Sequence, residues 1–124
     1  MFLKKITLLF LFITAITHIA MAQQNSNYAA QWKKVEAFEK KGLTASALKE
    51  VLIIYNLAIK DNNDAQQIKT SMYQIRYRNM REDEGQEKNI FFVDTLIAKA
   101  KAPVKNILQS MQAEMMWQYL QNHR

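Results

Sequence analysis

Histidine and cysteine, which often carry catalysis or bind metals, are scarce in this chain. It contains no cysteine and two histidines among its 124 residues. His18 lies in an apolar N-terminal run, and His123 has no cysteine or second histidine near it in the sequence. Cysteine nucleophiles and thiolate metal sites are therefore excluded, and no Ser/His/Asp set, phosphate-binding glycine loop or paired-carboxylate motif is present. We predict no catalytic residue, no metal site, no cofactor and no enzyme activity.

One acidic cluster could attract a divalent cation. It consists of Glu82, Asp83, Glu84 and Glu87. The cluster lacks the alternating ligands and the bidentate glutamate spacing of a calcium loop. We therefore interpret it as a solvated link between two helices.

A second cluster mixes aromatic and basic side chains, as grooves for single-stranded nucleic acid do. Its members are Tyr73, Arg76, Tyr77 and Arg78. We favour a structural role, in which the tyrosines are half buried and the arginine stems cover apolar surface. No nucleic-acid partner is therefore predicted.

The first 22 residues have the pattern of a secretory signal peptide. A basic start precedes the largely apolar run Ile6–Ala20, and Ala20-Met21-Ala22 forms a small-x-small cleavage site before Gln23. The run is shorter than the roughly 20 residues of a comfortable membrane span. We predict an exported protein, periplasmic or at the cell surface, with signal peptide 1–22, mature domain 23–124 and no stable membrane span after cleavage. The alternative is an uncleaved N-terminal helix that is buried or anchors the chain.

The mature part is moderately basic and has no disulfides. Without Lys4 and Lys5 it keeps 15 of the 17 lysines and arginines against 11 acidic residues, a net charge of +4. This excess is spread along the sequence, which is typical of a solvated surface and not of a nucleic-acid footprint. An exported domain without cysteine must be held together by packing alone.

The spacing of apolar residues predicts an all-α fold. One proline and two glycines interrupt the chain, and no segment alternates in the manner of a strand. On the third helix we expect Ala65, Ile68, Met72 and Ile75 to face inward. The five predicted helices begin near Ser26, Thr44, Asp64, Gln86 and Pro103.

The second helix, within Leu43–Asn63, has the widest apolar surface. Its inward line is Ala47, Val51, Ile54 and Ala58. Flanking apolar residues extend this line over more than half of the circumference, whereas a helix with one neighbour needs a stripe of only about 100°. We therefore expect neighbours on two sides and place this helix in the middle of a layered array.

The links between the first three helices are short. Gly42 is predicted to end the first helix in the left-handed conformation, with Leu43 packed into the turn. Thr44 and Asp64 are the predicted N-caps of the second and third helices. Such links predict antiparallel helix hairpins.

A faint repeat favours a tetratricopeptide-like α-solenoid of about five helices. Four residues recur 39 positions later, an offset near the period of helical repeats. They are Leu57, Ile68, Ser71 and Met72, matched by Leu96, Ile107, Ser110 and Met111. A compact five-helix bundle is the alternative.

The fifth helix has apolar residues on two faces. Met116, Trp117 and Leu120 point away from its inward stripe, although terminal repeats normally carry a polar outer face. We therefore predict an interaction surface there, covered by a further helix beyond Arg124 or by self-association. The alternative is a local fold-back of a frayed helix end. The predicted inward stripe is Val104, Ile107, Leu108, Met111, Met115 and Tyr119.

Three stretches together resemble the extreme N-terminus of the very large alpha-2-macroglobulin-like proteins exported by Bacteroidetes-type bacteria. They are Gln31–Leu43, Ser46–Tyr55 and Ala98–Tyr119, and the resemblance extends over nearly all of the mature domain. The resemblance implies that tetratricopeptide-like helices follow a signal peptide and precede a long series of macroglobulin β-sandwich domains.

The same resemblance implies a protease-binding or protease-inhibiting parent protein. Some family members act through a thioester in a Cys-Gly-Glu-Gln motif, and no such residue can be transferred to a chain without cysteine. Two hypotheses follow: a helical scaffold and interaction segment of such an inhibitor, or a free-standing exported helical-repeat module that binds a protein or peptide. A reading frame that continues past Arg124 into β-rich sequence would favour the first, and a stop codon the second.

Overall fold

A computed structural model of the chain describes residues 27–80 and 85–123. All regular secondary structure in these ranges is α-helical and forms five helices, which confirms the all-α prediction. None of the described helices combines the length and apolar character needed to cross a membrane. The predicted signal peptide and Glu82–Glu84 lie outside the described residues. The helices are α1 (27–40), α2 (Thr44–Lys60), α3 (Asp64–Asn79), α4 (Gly85–Lys99) and α5 (Val104–Asn122).

The turn between α1 and α2 closes as predicted around Gly42. Its φ is +70°, and the Leu43 N–H donates to the Phe38 carbonyl oxygen at 2.9 Å, which is the long bond of a Schellman motif. The N-cap prediction for Thr44 is wrong, because Leu43 occupies that position and no side chain caps α2. Leu43 is also 47% exposed, so it is not packed tightly into the turn.

The turn between α2 and α3 has the same backbone conformation, with asparagine in the place of glycine. Asn62 has φ +51°, and the Asn63 N–H donates to the Ala58 carbonyl oxygen at 2.9 Å. The Asn63 side chain then caps α3 by accepting the Gln66 N–H at 3.2 Å. The N-cap of α3 is therefore Asn63 and not the predicted Asp64. Asn63 serves both helices, because its N–H bonds to the last turn of α2 and its side chain caps α3.

Two hydrophobic clusters hold the helices together. In the first, the predicted α2 line Ala47, Val51, Ile54 and Ala58 is fully buried between α1 and α3, which confirms neighbours on two sides. The outer side of α2 nevertheless leaves Ile53 exposed, together with Leu52 and Ile59. The other members of this cluster are Tyr28, Trp32, Val35 and Tyr77.

The helix with the most neighbours is α3, not α2. It contacts α2, α4 and α5, and it contributes residues to both clusters. Met111 and Met115 pack at the edge of the second cluster, as predicted for inward residues of α5, whereas Ile107 of the same predicted stripe is exposed. The buried members of this cluster are Ile75, Val93, Leu96, Val104 and Leu108.

The buried side of α3 is largely polar, which differs from the prediction. Thr70, Ser71 and Gln74 are buried, whereas Met72 is 52% exposed and Ala65 is also exposed. The two hydroxyls donate to carbonyl oxygens one turn earlier in α3. These small side chains satisfy their polar atoms within their own helix, so neighbouring helices can pack on them without an unpaired hydroxyl.

Candidate functional site

The residues predicted to form an interaction surface lie on the outer side of α5. Met116, Trp117 and Leu120 are 45, 51 and 56% exposed. Val104 and Leu108 are buried on the inward side and fix α5 in the second cluster. The structure thus places the three residues where a partner can reach them, and binding itself stays a prediction.

Met116 and Leu120 line a groove of about 300 Å³ between α4 and α5. Its lining is predominantly apolar, and Glu87 is its one charged member. Phe91 stands at this groove with 63% of its surface exposed. We name Phe91, Met116, Trp117 and Leu120 the α4–α5 surface. The groove lining consists of Glu87, Ile90, Phe91, Met116, Tyr119 and Leu120.

A side-chain bridge sets the spacing of the two helices that form this groove. The Gln112 Nε2 donates to the Ile90 carbonyl oxygen at 3.1 Å and to Asp94 Oδ1 at 2.7 Å. The amide therefore links α5 to both backbone and side chain of α4, one turn away from Met116. Because apolar packing and this bridge both hold the helices, the groove is formed before any partner arrives.

The sequence interpretation missed Phe91. It lies between Ile90, which is buried, and Phe92, which packs at the edge of the second cluster. Three adjacent apolar residues cannot share one face of a helix, since successive residues are about 100° apart. The criterion that identified Met116, Trp117 and Leu120, a large apolar residue off the inward stripe, would also have found Phe91.

A larger groove of about 480 Å³ lies between α3 and α5. Its apolar lining is Ile75, Met111 and Met115. Methionine side chains adapt their shape to different apolar ligands. The groove is therefore a second candidate binding site. Its polar lining is Asn79, Ser110, Glu114 and Gln118.

The aromatic and basic cluster of α3 is built into the contact with α1. The Trp32 and Tyr73 rings are 4.8 Å apart, and the Lys69 ammonium lies 3.9 Å from the Trp32 ring centroid. Tyr77 is buried, and its hydroxyl donates to Glu39 Oε1 at 2.8 Å, where Arg76 approaches to 3.4 Å. These contacts make the cluster part of the packing between α1 and α3, although Tyr77 is fully buried where half burial was predicted.

Two tyrosine–carboxylate bonds tie α1 to the other helices. The Tyr28 hydroxyl donates to Asp61 Oδ2 at 2.8 Å. Burial, followed by this bond and the negative charge of Asp61, raises the pKa of Tyr28 to about 12. Burial and the bond to Glu39 likewise raise the pKa of Tyr77 well above its usual value. Both hydroxyls therefore stay protonated donors at neutral pH and serve packing.

The remaining ionisable candidates do not assemble into a site. The His123 Nδ1 lies 2.8 Å from the Tyr119 carbonyl oxygen, and its ring stacks on the Tyr119 ring. Glu87 is exposed, and the rest of the acidic cluster lies outside the described ranges. Within residues 27–80 and 85–123, no group of three or more histidine or acidic side chains is arranged to hold a metal ion.

Comparisons with protein-family models, curated proteins and solved structures find no match to this chain.

Proposed function

We propose that this chain is an exported, non-catalytic helical segment that binds protein through the α4–α5 surface. The observation that carries the proposal is the exposure of four large apolar side chains on α4 and α5, three of which line one preformed groove. Exposed apolar patches of this kind mark interaction sites in soluble proteins.

The helix contacts support a tetratricopeptide-like solenoid as the scaffold for this surface. α3 contacts its chain neighbours α2 and α4 and also α5, which is two helices further on. The Trp32 Nε1–H of α1 donates a hydrogen bond to Gln66 Oε1 of α3 at 2.8 Å. The pair α1 and α3 is therefore in contact in the same way as α3 and α5, since each pair is two helices apart in the chain. In such an array each helix pair packs only on its neighbours, and the last pair presents its outer face to whatever follows.

We further propose, on the sequence resemblance, that the segment belongs to an alpha-2-macroglobulin-like protease-binding protein. The stretches Gln31–Leu43 and Ala98–Tyr119 support this assignment. In that setting later domains of the same chain also contact the segment. The segment would act as a scaffold, and protease binding would reside elsewhere.

A photoreactive benzoylphenylalanine at position 117 tests the proposed function in the cells that produce the chain. Trp117 is the natural residue, so an aromatic replacement preserves the shape of the surface. We expect a light-dependent adduct of one defined mass. The same amino acid in place of Lys34, which is exposed on α1, serves as the control and should give no adduct. Equal yields at the two positions, or none at position 117, would refute the proposal.

The groove between α3 and α5 supports a second candidate function, the binding of an apolar peptide by a free-standing module. A peptide selected on the purified chain should shift the methyl NMR signals of Met111 and Met115, which line the groove. Met80 is 60% exposed elsewhere and provides the control signal. Shifts of Met80 alone, or of Met116 instead, would exclude this groove as the peptide site.

A further inference from the structure

We propose that the occupant of the α4–α5 surface is a second copy of this chain, related to the first by a two-fold axis. This inference rests on the proposed function, because it names the partner of the same surface. Three observations support it: the size of the apolar area, the distribution of charge and the character of the outer face of α1.

The apolar area fits a weak dimer. Phe91, Met116, Trp117 and Leu120 are between 45 and 63% exposed. With about 150–250 Å² for a large apolar side chain, these fractions amount to roughly 400 Å² per copy. Two copies would bury about half of the roughly 1,600 Å² of a standard interface through these residues alone. Since rim residues add to this area, we expect a weak, reversible dimer.

The charge distribution favours contact between the α4–α5 surfaces of two copies. Residues 27–80 carry nine lysines and arginines against five acidic residues, whereas residues 85–123 carry four against three. The excess positive charge is therefore four in α1–α3 and one in α4–α5. A dimer joined through α4 and α5 keeps the strongly charged parts apart and minimises repulsion between copies.

The outer face of α1 is unsuited to a head-to-tail contact with the α4–α5 surface. Lys33, Lys34 and Lys40 are exposed there. Stacking the α4–α5 surface of one copy on this face would desolvate lysines against apolar side chains. The apolar surface is better matched by its own copy, and a face that pairs with itself generates a closed two-fold dimer.

Sedimentation equilibrium of the purified chain tests the proposal. We expect a monomer–dimer equilibrium, and Trp117→Gln with Leu120→Gln should raise its dissociation constant at least about tenfold. Leu52→Gln with Ile53→Gln is the matched control, because these residues are 40 and 51% exposed on α2. The control pair should change the constant less than about twofold. Thermal melts of both double variants verify that they fold.

Two results would overturn the second-copy proposal. One is a parent chain that stays monomeric at millimolar concentration, and the other is self-association that both double variants weaken equally. If the parent is monomeric while position 117 still cross-links to another protein or to another segment, the second copy is wrong and the proposed function stands. If position 117 yields no adduct either, both are wrong.

Discussion

The bond between Tyr28 and Asp61 should contribute measurably to stability. Tyr28 is 3% exposed, and its hydroxyl donates to Asp61 Oδ2 at 2.8 Å. A hydrogen bond to a charged group is worth about 1.5–3 kcal/mol. Asp61 is only half buried at the end of α2, so water can replace part of the bond. We therefore expect Tyr28→Phe to lower the free energy of unfolding by about 1 kcal/mol at pH 7.

The cost of this substitution should depend on pH in one direction. The pKa of Tyr28 rises from 10.0 to about 12 in the folded state because of burial, then the bond to Asp61 and its charge. A group whose pKa is raised on folding stabilises the folded state fully below pH 10, and this contribution is lost as the pH rises towards 12. The difference in stability between the parent and Tyr28→Phe should therefore shrink between pH 10 and pH 12.

Urea unfolding of both proteins at pH 7, 9, 10 and 11 measures this difference. All other side chains are identical in the two proteins, so their contributions cancel in the comparison. Asp61→Asn alone and the double variant complete the cycle and isolate the coupling between the two side chains. A stability difference that is zero at pH 7, or that stays constant through pH 11, would refute the assignment of this bond.

Four further predictions concern the turn, the core and the N-terminus. Gly42→Ala should lower the free energy of unfolding, measured in urea, by about 1 kcal/mol. The cost comes from the φ of +70° and not from crowding, because a Cβ would have open space. A variant as stable as the parent would exclude the left-handed turn. Ile54→Ala should cost about 3 kcal/mol, whereas Ile53→Ala next to it should cost less than about 0.5 kcal/mol, because they are 0 and 51% exposed; equal costs would contradict the packing of α2. Because Leu43 is 47% exposed, Leu43→Asp should lower the free energy of unfolding by less than about 1 kcal/mol. A buried leucine at this position would give a loss of about 2–4 kcal/mol. Intact mass of the exported chain should correspond to a start at Gln23, and retention of residues 1–22 would overturn the localisation.

The sequence predicted the packing of α2 because its apolar residues are small and regularly spaced. Ala47, Val51, Ile54 and Ala58 repeat at helical intervals, and all four are fully buried. Gly42 was also predictable, since few residues other than glycine adopt positive φ at low cost. Asn62 does the same in the next turn, but asparagine is common in many loop positions and gave a weaker signal.

The packing of α3 could not be read from hydropathy. Thr70 and Ser71 are polar by composition, yet their hydroxyls are satisfied within the helix and they are fully buried. Met72 is apolar, yet half of its surface is exposed. A single sequence shows no neighbouring helices, and the identity of the neighbours decides which side of α3 is inward.

The candidate site was predictable in part. Trp117 and Leu120 were identified because they depart from the inward stripe of α5. Phe91 belongs to the same surface through the pairing of α4 with α5. That pairing depends on tertiary contacts such as the bridge from Gln112, which the sequence pattern does not specify.

Thiol labelling measures directly whether a partner covers the α4–α5 surface in the producing cells. The chain has no cysteine, so Ala113→Cys introduces one reactive thiol on the exposed side of α5, one turn before Met116 and Trp117. Ala37 is exposed on α1, so Ala37→Cys is the matched control. Labelling by a small maleimide should be slower in cells than in dilute purified protein for Ala113→Cys, and equally fast in both for Ala37→Cys. Equal rates for Ala113→Cys in cells and in dilute solution would contradict the claim that this surface binds protein.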